Sequence, residues 1–159
     1  MGLSEAKAVF EILKQAGYVR VASFNMNPED IKNFMRQSWV VTSSDGNTGH
    51  PRKYGSFPRM YQKYVMEEKV IAIGTFIKTS TSVTADIFNI PNRGKIQEGH
   101  FADIILFQPD KFKDKADYED AFQYAEGLEY SIINGKLSVE KGQFIDQLNG
   151  RVLMKESTN

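Results

Sequence analysis

Residues 39–46 (WVVTSSDG) limit this chain more than any other stretch. Trp39, Val40, Val41 and Thr42 are apolar or β-branched, so the run reads as a buried strand ending at Ser43. Asp45 then falls at the C-terminal end of that strand, where open and barrel α/β folds build their sites. Gly46 lets the chain turn, and a loop rich in Gly, Asn and Thr brings His50 and Arg52 back toward the same end. An acid, an imidazole and a guanidinium thus fall within eight residues on an apolar base.

The segments before this run set its context. Ser4 can cap a helix with Val9, Phe10 and Leu13 on one face, and Gly17 stops it. Residues 18–24 (YVRVASF) mix β-branched and aromatic side chains and read as a strand. Asn27-Pro28-Glu29-Asp30 is a strong helix start: a cap, a proline in the first turn, then acids at the positive dipole end. Helix, strand, helix, strand up to Asp45 predicts one βαβ unit with a parallel sheet.

Beyond the polar loop, Ser56 is expected to cap a helix through Met60, Tyr61, Tyr64 and Val65. A second helical stretch carries Ile71, Ile73, Phe76 and Ile77, and a third covers 83–88. Past Pro91 the pattern changes to short strands at 94–96, 102–107, 128–134, 136–139, 143–145 and 151–154. Asn134-Gly135 is a strong type I′ hairpin signal, because that turn needs positive φ at both positions. Residues 110–125, charged and aromatic, read as an irregular arm. The expected division is an α/β part, residues 1–90, and a β part, residues 91–159.

Composition narrows the function classes. Twenty Lys and Arg balance twenty Asp and Glu, so no global field draws nucleic acid or an acidic membrane surface. No stretch has the apolar length to span a bilayer, and the first residues lack a signal peptide's apolar region; a cytoplasmic setting is the expectation. With no cysteine and two histidines among 159 residues, a zinc site built within the chain is short of ligands. Two parallel strands cannot make a sheet covered on both faces, and unclosed short strands leave edges open. The chain therefore reads as the last third of a larger fold, expected to self-associate or to pair with a missing N-terminal half.

Taken in order, Ser43-Ser44-Asp45-Gly46, His50-Pro51-Arg52 and Tyr54-Gly55-Ser56-Phe57-Pro58-Arg59 resemble the amidohydrolase superfamily, in particular the C-terminal part of N-acyl-D-amino-acid deacylases (D-aminoacylases). Thr81-Ser82-Val83, Arg93-Gly94-Lys95-Ile96 with Gly99, Ala102-Asp103-Ile104 and Asn134-Gly135 extend the resemblance over nearly the whole chain. Thr84 and Gln108 depart from it, standing where similar proteins often have proline and aspartate. The resemblance implies an α/β fold: the last two βα units of a TIM-type barrel, with 18–24 and 39–43 as strands, followed by part of a small β-sandwich domain. It also implies a zinc-dependent enzyme that hydrolyses N-acyl-D-amino acids. The histidine and cysteine ligands lie on barrel strands that precede this stretch, so the isolated chain is expected to be inactive and to hold no zinc tightly. A cyclic-amide hydrolase of the dihydroorotase or hydantoinase kind is a rival within the superfamily, and a non-catalytic association domain a rival outside it.

The resemblance makes Asp45 the catalytic carboxylate, a proton carrier that also serves as a metal ligand. On composition alone Asp45 is a turn residue in Ser-Asp-Gly. Arg52 resembles the anchor for the substrate carboxylate, suited by its planar pair of donors; the plain alternative is an exposed loop arginine. His50 and Tyr54 share the loop and are candidate substrate-binding residues, although His50 alone reads as loop packing and Tyr54, like Arg59, as loop shape. His100 reads as surface, Asp103 as a turn tie, and the charges at 111–120 as a solvated face.

Zinc retention tests the ligand shortage. Purified chain is expected to lose zinc on dialysis, because it falls short of the roughly three or four protein ligands a zinc site takes. Stoichiometric zinc by elemental analysis would contradict this.

Overall fold

The computed structural model describes residues 2–19, 21 and 23–154. These fall into two compact units divided between Ile31 and Lys32. The first contains α1 (Glu5–Ala16), closed by Gly17, whose φ of 65° lets its amide reach back to the Leu13 carbonyl at 2.9 Å. Helix α2 (Pro28–Met35) crosses the division. Its first turn is capped as the sequence predicts, with Asn27 Oδ1 accepting the Glu29 amide at 2.9 Å.

The second unit begins with α3 (Arg52–Arg59), which runs on without a break into a π-helical segment, Met60–Glu67. There the amides reach back five residues, as from Glu68 to the Lys63 carbonyl at 2.8 Å. Pro58 sits inside α3 and brings no amide for the preceding turn. Helices α4 (Ile73–Ser80) and α5 (Ser82–Ile87) follow.

A four-stranded antiparallel sheet completes the unit: β1 (Ile104–Phe107), β2 (Leu128–Ile133), β3 (Lys136–Glu140) and β4 (Gln143–Phe144), side by side in chain order. Asn134 and Gly135 have φ of 52° and 77°, the hairpin turn that the sequence predicts. Lys141 and Gly142 repeat it at 49° and 76° between β3 and β4. A polar tie fastens the strand ends. Asp103 accepts both the Arg93 guanidinium and the Asn134 amide, and Arg93 also reaches the Asn134 side chain. Two guanidinium groups meet the Phe101 ring, Arg93 at 4.2 Å and Arg151 at 4.3 Å from the ring centre.

The core gathers on one ring. Tyr61 is 1% exposed, and its ring meets Phe76 of α4 at 5.5 Å, Phe107 of β1 at 5.4 Å and Phe112 of the arm at 5.7 Å between centroids. Val65 and Ile71 complete the buried cluster, with Met35 of α2 packed against it. The arm enters it by a close approach. A Cβ on Gly127, just before β2 and at φ +79°, would lie 2.5 Å from the Phe112 nitrogen, so Gly127 and the arm meet there as bare backbone.

Three expected strands are not strands, and a fourth lies partly outside the described residues. Residues 38–39 form a turn, Trp39 is 65% exposed, and 40–43 pair with nothing among the described residues. A parallel strand draws its hydrogen bonds from distant segments, and the sheet here is antiparallel throughout. Residues 18–24 include Arg20 and Ala22, which lie outside the described residues; the others belong to no strand. At 94–96 the left-handed Gly94 (φ +76°) breaks the extended run, and a Cβ there would stand 2.9 Å from the Thr81 carbonyl oxygen. Residues 151–154 belong to no strand among the described residues. No helix among the described residues is long and apolar enough to cross a membrane.

If Tyr61 holds the second unit together, Tyr61→Ala is expected to cost about 3–5 kcal/mol, read from the urea midpoint. A loss below about 1 kcal/mol would move the centre of the core elsewhere.

A candidate acid–arginine site at the start of α3

The expected cap at Ser56 lies inside the helix, four residues past its first residue, Arg52. Ser56 sits within α3, and its hydroxyl donates to the Arg52 carbonyl at 2.7 Å and reaches the Ser44 carbonyl at 3.3 Å. His50 takes the capping part instead. Its Nδ1 accepts the Arg52 amide at 3.1 Å and its carbonyl accepts the Lys53 amide at 3.2 Å, with Pro51 between them supplying a φ already suited to a helix. The Pro51 that follows His50 is the sequence signal for this start.

With both its amide and its carbonyl held, Arg52 aims its guanidinium back along the loop. Its Nη2 lies 2.8 Å from Asp45 Oδ2. Asp45 adopts a left-handed φ of 41°, which aspartate tolerates better than most residues, and the Ser43 hydroxyl accepts its amide at 3.4 Å. Arg52 Nε is buried and has no hydrogen-bond partner. Below the loop, Thr42 Oγ1 meets the Met60 sulfur at 2.7 Å.

The imidazole is engaged on both sides. His50 Nε2 lies 3.2 Å from the Tyr118 hydroxyl, and the two rings meet edge-on with centroids 5.2 Å apart. Burial, and then the Arg52 charge, hold the His50 pKa below its ordinary value, against the opposing pull of Asp45. Tyr54 points to the arm, with its ring 5.5 Å from Tyr124 and 6.3 Å from Phe122. One turn on, Arg59 pairs with Asp114 at 3.2 Å. Gly55 leaves room for that acid: a Cβ there would stand 2.8 Å from Asp114 Cβ.

The structure thus brings Asp45, His50 and Arg52 together and leaves Tyr54 facing the aromatic side chains of the arm. The arm residues Asp114 and Tyr118 are site neighbours that the sequence reading missed, because charge at 111–120 was read as a solvated face. Phe112, Ala116 and Ala121 are buried, and aromatic residues recurring among the charges were the available signal.

No group of three or more His, Asp or Glu side chains placed to hold a metal occurs among the described residues. Asp45 is the one acid of the loop, and both nitrogens of His50 are committed within the chain. The donor set does not fit a metal by itself, so any metal at Asp45 would take its remaining ligands from beyond the described residues.

No protein-family model matches the chain. Among curated proteins it is 28% identical to a D-aminoacylase of Alcaligenes xylosoxydans xylosoxydans over 153 residues, which is 94% of this chain and 32% of that protein. It is also 27% identical to an N-acyl-D-glutamate deacylase of the same organism, over 70% of this chain and 24% of that protein. The N-acyl-D-amino-acid deacylases are its homologues. Solved structures agree. A D-aminoacylase studied for its binuclear metal centre superposes with a TM-score of 0.77 at 30% identity, covering 82% of this chain and 28% of that one. An N-acyl-D-glutamate deacylase from Bordetella bronchiseptica, complexed with zinc and a phosphonate mimic of the tetrahedral intermediate, matches with a TM-score of 0.68 at 28% identity over 70% of this chain. The chain spans about a third or less of the length of these relatives.

Two measurements test this geometry. Asp45 is exposed and Arg52 half-buried, so Asp45→Asn is expected to change stability by less than about 1 kcal/mol; a larger loss of urea midpoint would make the pair structural. The folded chain binds the His50 proton less readily than the unfolded chain, whose ordinary value is 6.5. Stability is therefore full above that value and falls as pH drops through the lower folded one. His50→Asn is expected to flatten this acid-side decline of the urea midpoint; an unchanged slope would assign it to other groups.

Proposed function

We propose that this chain is the C-terminal segment of a metal-dependent amidohydrolase that removes the acyl group from N-acyl-D-amino acids. The observation that carries the reading is the Asp45–Arg52 pair at the start of α3, 2.8 Å apart, in a chain similar over 94% of its length to a D-aminoacylase. In this reading residues 1–90 complete a TIM-type barrel, with 18–24 and 39–43 pairing with strands supplied from outside the chain. Residues 91–159 then contribute to a small β-sandwich domain. Exposed Ile105 and Leu106 on β1 and Phe144 on β4 favour such a cover over the sheet.

The chemistry follows from the pair. Arg52 offers a planar guanidinium to the substrate α-carboxylate, which carries the same charge as Asp45 and takes its place. Asp45, released, accepts a proton from the attacking water as its oxygen bonds to the amide carbon. It returns that proton to the nitrogen as the C–N bond breaks, leaving a carboxylate and a free amino acid. His50 and Tyr54 serve the same site by shaping the loop that presents Arg52. Zinc in the intact protein would have Asp45 as its one ligand from this segment, with the others supplied elsewhere. The isolated chain is then inactive, whether it self-associates or awaits an N-terminal half.

The test uses the protein extended to the length of its relatives. Asp45→Asn is expected to lower turnover on the order of 10²-fold or more while substrate binding survives. Arg52→Lys is expected to weaken an N-acyl-D-amino acid far more than its C-terminal amide, which presents no carboxylate. Equal effects on acid and amide would make the arginine structural and favour a cyclic-amide substrate. Full activity of Asp45→Asn would place the proton transfer elsewhere.

A further inference from the structure

We propose that Tyr118, from the irregular arm, is a positioning residue for Arg52 and acts through the His50 ring. The assignment follows from donors and acceptors. The Arg52 amide donates to His50 Nδ1 at 3.1 Å, so that nitrogen presents its lone pair and the neutral ring carries its proton on Nε2. Nε2 lies 3.2 Å from the Tyr118 hydroxyl, whose oxygen accepts that proton's hydrogen bond. Turning the imidazole over would lose both bonds. The edge-on contact of the two rings at 5.2 Å holds the plane in which the Nδ1 lone pair meets the Arg52 amide.

The arm is seated firmly enough to serve as the fixed partner. Phe112 is in the Tyr61 core, and Ala116 and Ala121 are buried on either side of Tyr118. Asp114 meets Gly55 and Arg59 further along α3. Arm and helix therefore touch at the helix start and again one to two turns later, and Tyr118 makes its contact at His50, two residues before Arg52. Nothing about Tyr118 calls for contact with a substrate; it sets where Arg52 begins. That Arg52's placement matters for binding a carboxylate rests on the function proposed above, whereas the Tyr118–His50–Arg52 relay does not.

The relay can be read without substrate in the ¹⁵N-labelled chain, from amide exchange at Arg52 and the ring nitrogens of His50, with His100→Gln separating the two histidines. The expected wild-type ring is protonated on Nε2 and bare on Nδ1. Tyr118→Phe is expected to speed Arg52 exchange about tenfold while amides of Tyr61 and Val65 stay protected. His50→Asn puts an amide oxygen where Nδ1 stood but cannot reach Tyr118, so it is expected to keep Arg52 protected and to abolish the effect of Tyr118→Phe. Exchange within about twofold of wild type in Tyr118→Phe, or equal acceleration in the His50→Asn background, would overturn the proposal and leave only packing. A titration with N-acetyl-D-methionine, made in the protein extended to the length of its relatives, separates the two claims. If Tyr118→Phe speeds exchange but the ligand leaves Arg52 resonances unmoved, the relay stands and the carboxylate reading falls.

Discussion

The second unit depends on the ring of Tyr61. One side chain from the π-helical segment touches α4, the first strand and the arm through three phenylalanines, and no other buried cluster of comparable reach occurs among the described residues. Aromatic rings suit this position because each buries a large area and accepts tilted and edge-on neighbours. Arg52 stands on the same continuous helix as Tyr61, so the acid–arginine pair inherits its position from this core. The loop before Arg52 contributes short local bonds, not burial.

What the sequence made legible is what local chemistry decides. The Asn27 cap, the Gly17 stop and the Asn134-Gly135 turn each follow from one or two residues acting on their own backbone, and each is present. Residues 39–43 have the composition of a buried strand, yet strand formation requires a partner, and none of the described residues supplies one. Composition records the burial that a segment is suited to; pairing is decided by other segments.

The site shows the same division. Asp45 and Arg52 stand out through the family resemblance, since by composition alone they read as a turn acid and an exposed loop arginine; the loop brings them within ion-pair distance. The start of α3 was misread because serine is the better cap on average, whereas here a histidine before a proline does the work with a ring nitrogen. Asp114 and Tyr118 were hidden by distance in sequence. An acid 55 residues from Arg59 and a phenol 68 residues from His50 leave no trace of their partners near those residues, and the charges around them suggest solvent although the interleaved apolar residues are buried.

The passage from α3 into the π-helical segment has a consequence for what this stretch can become. A backbone wound with five-residue reach turns through a smaller angle per residue than an α-helix, so the eight residues of Met60–Glu67 set the phase between the loop at one end and Ile71 at the other. Removing one residue would let the segment relax to ordinary winding and improve its own hydrogen bonding. It would also rotate everything downstream against the guanidinium upstream. Length here acts as an angular setting: one residue more or fewer in 60–67 changes the direction in which the downstream segments face Arg52.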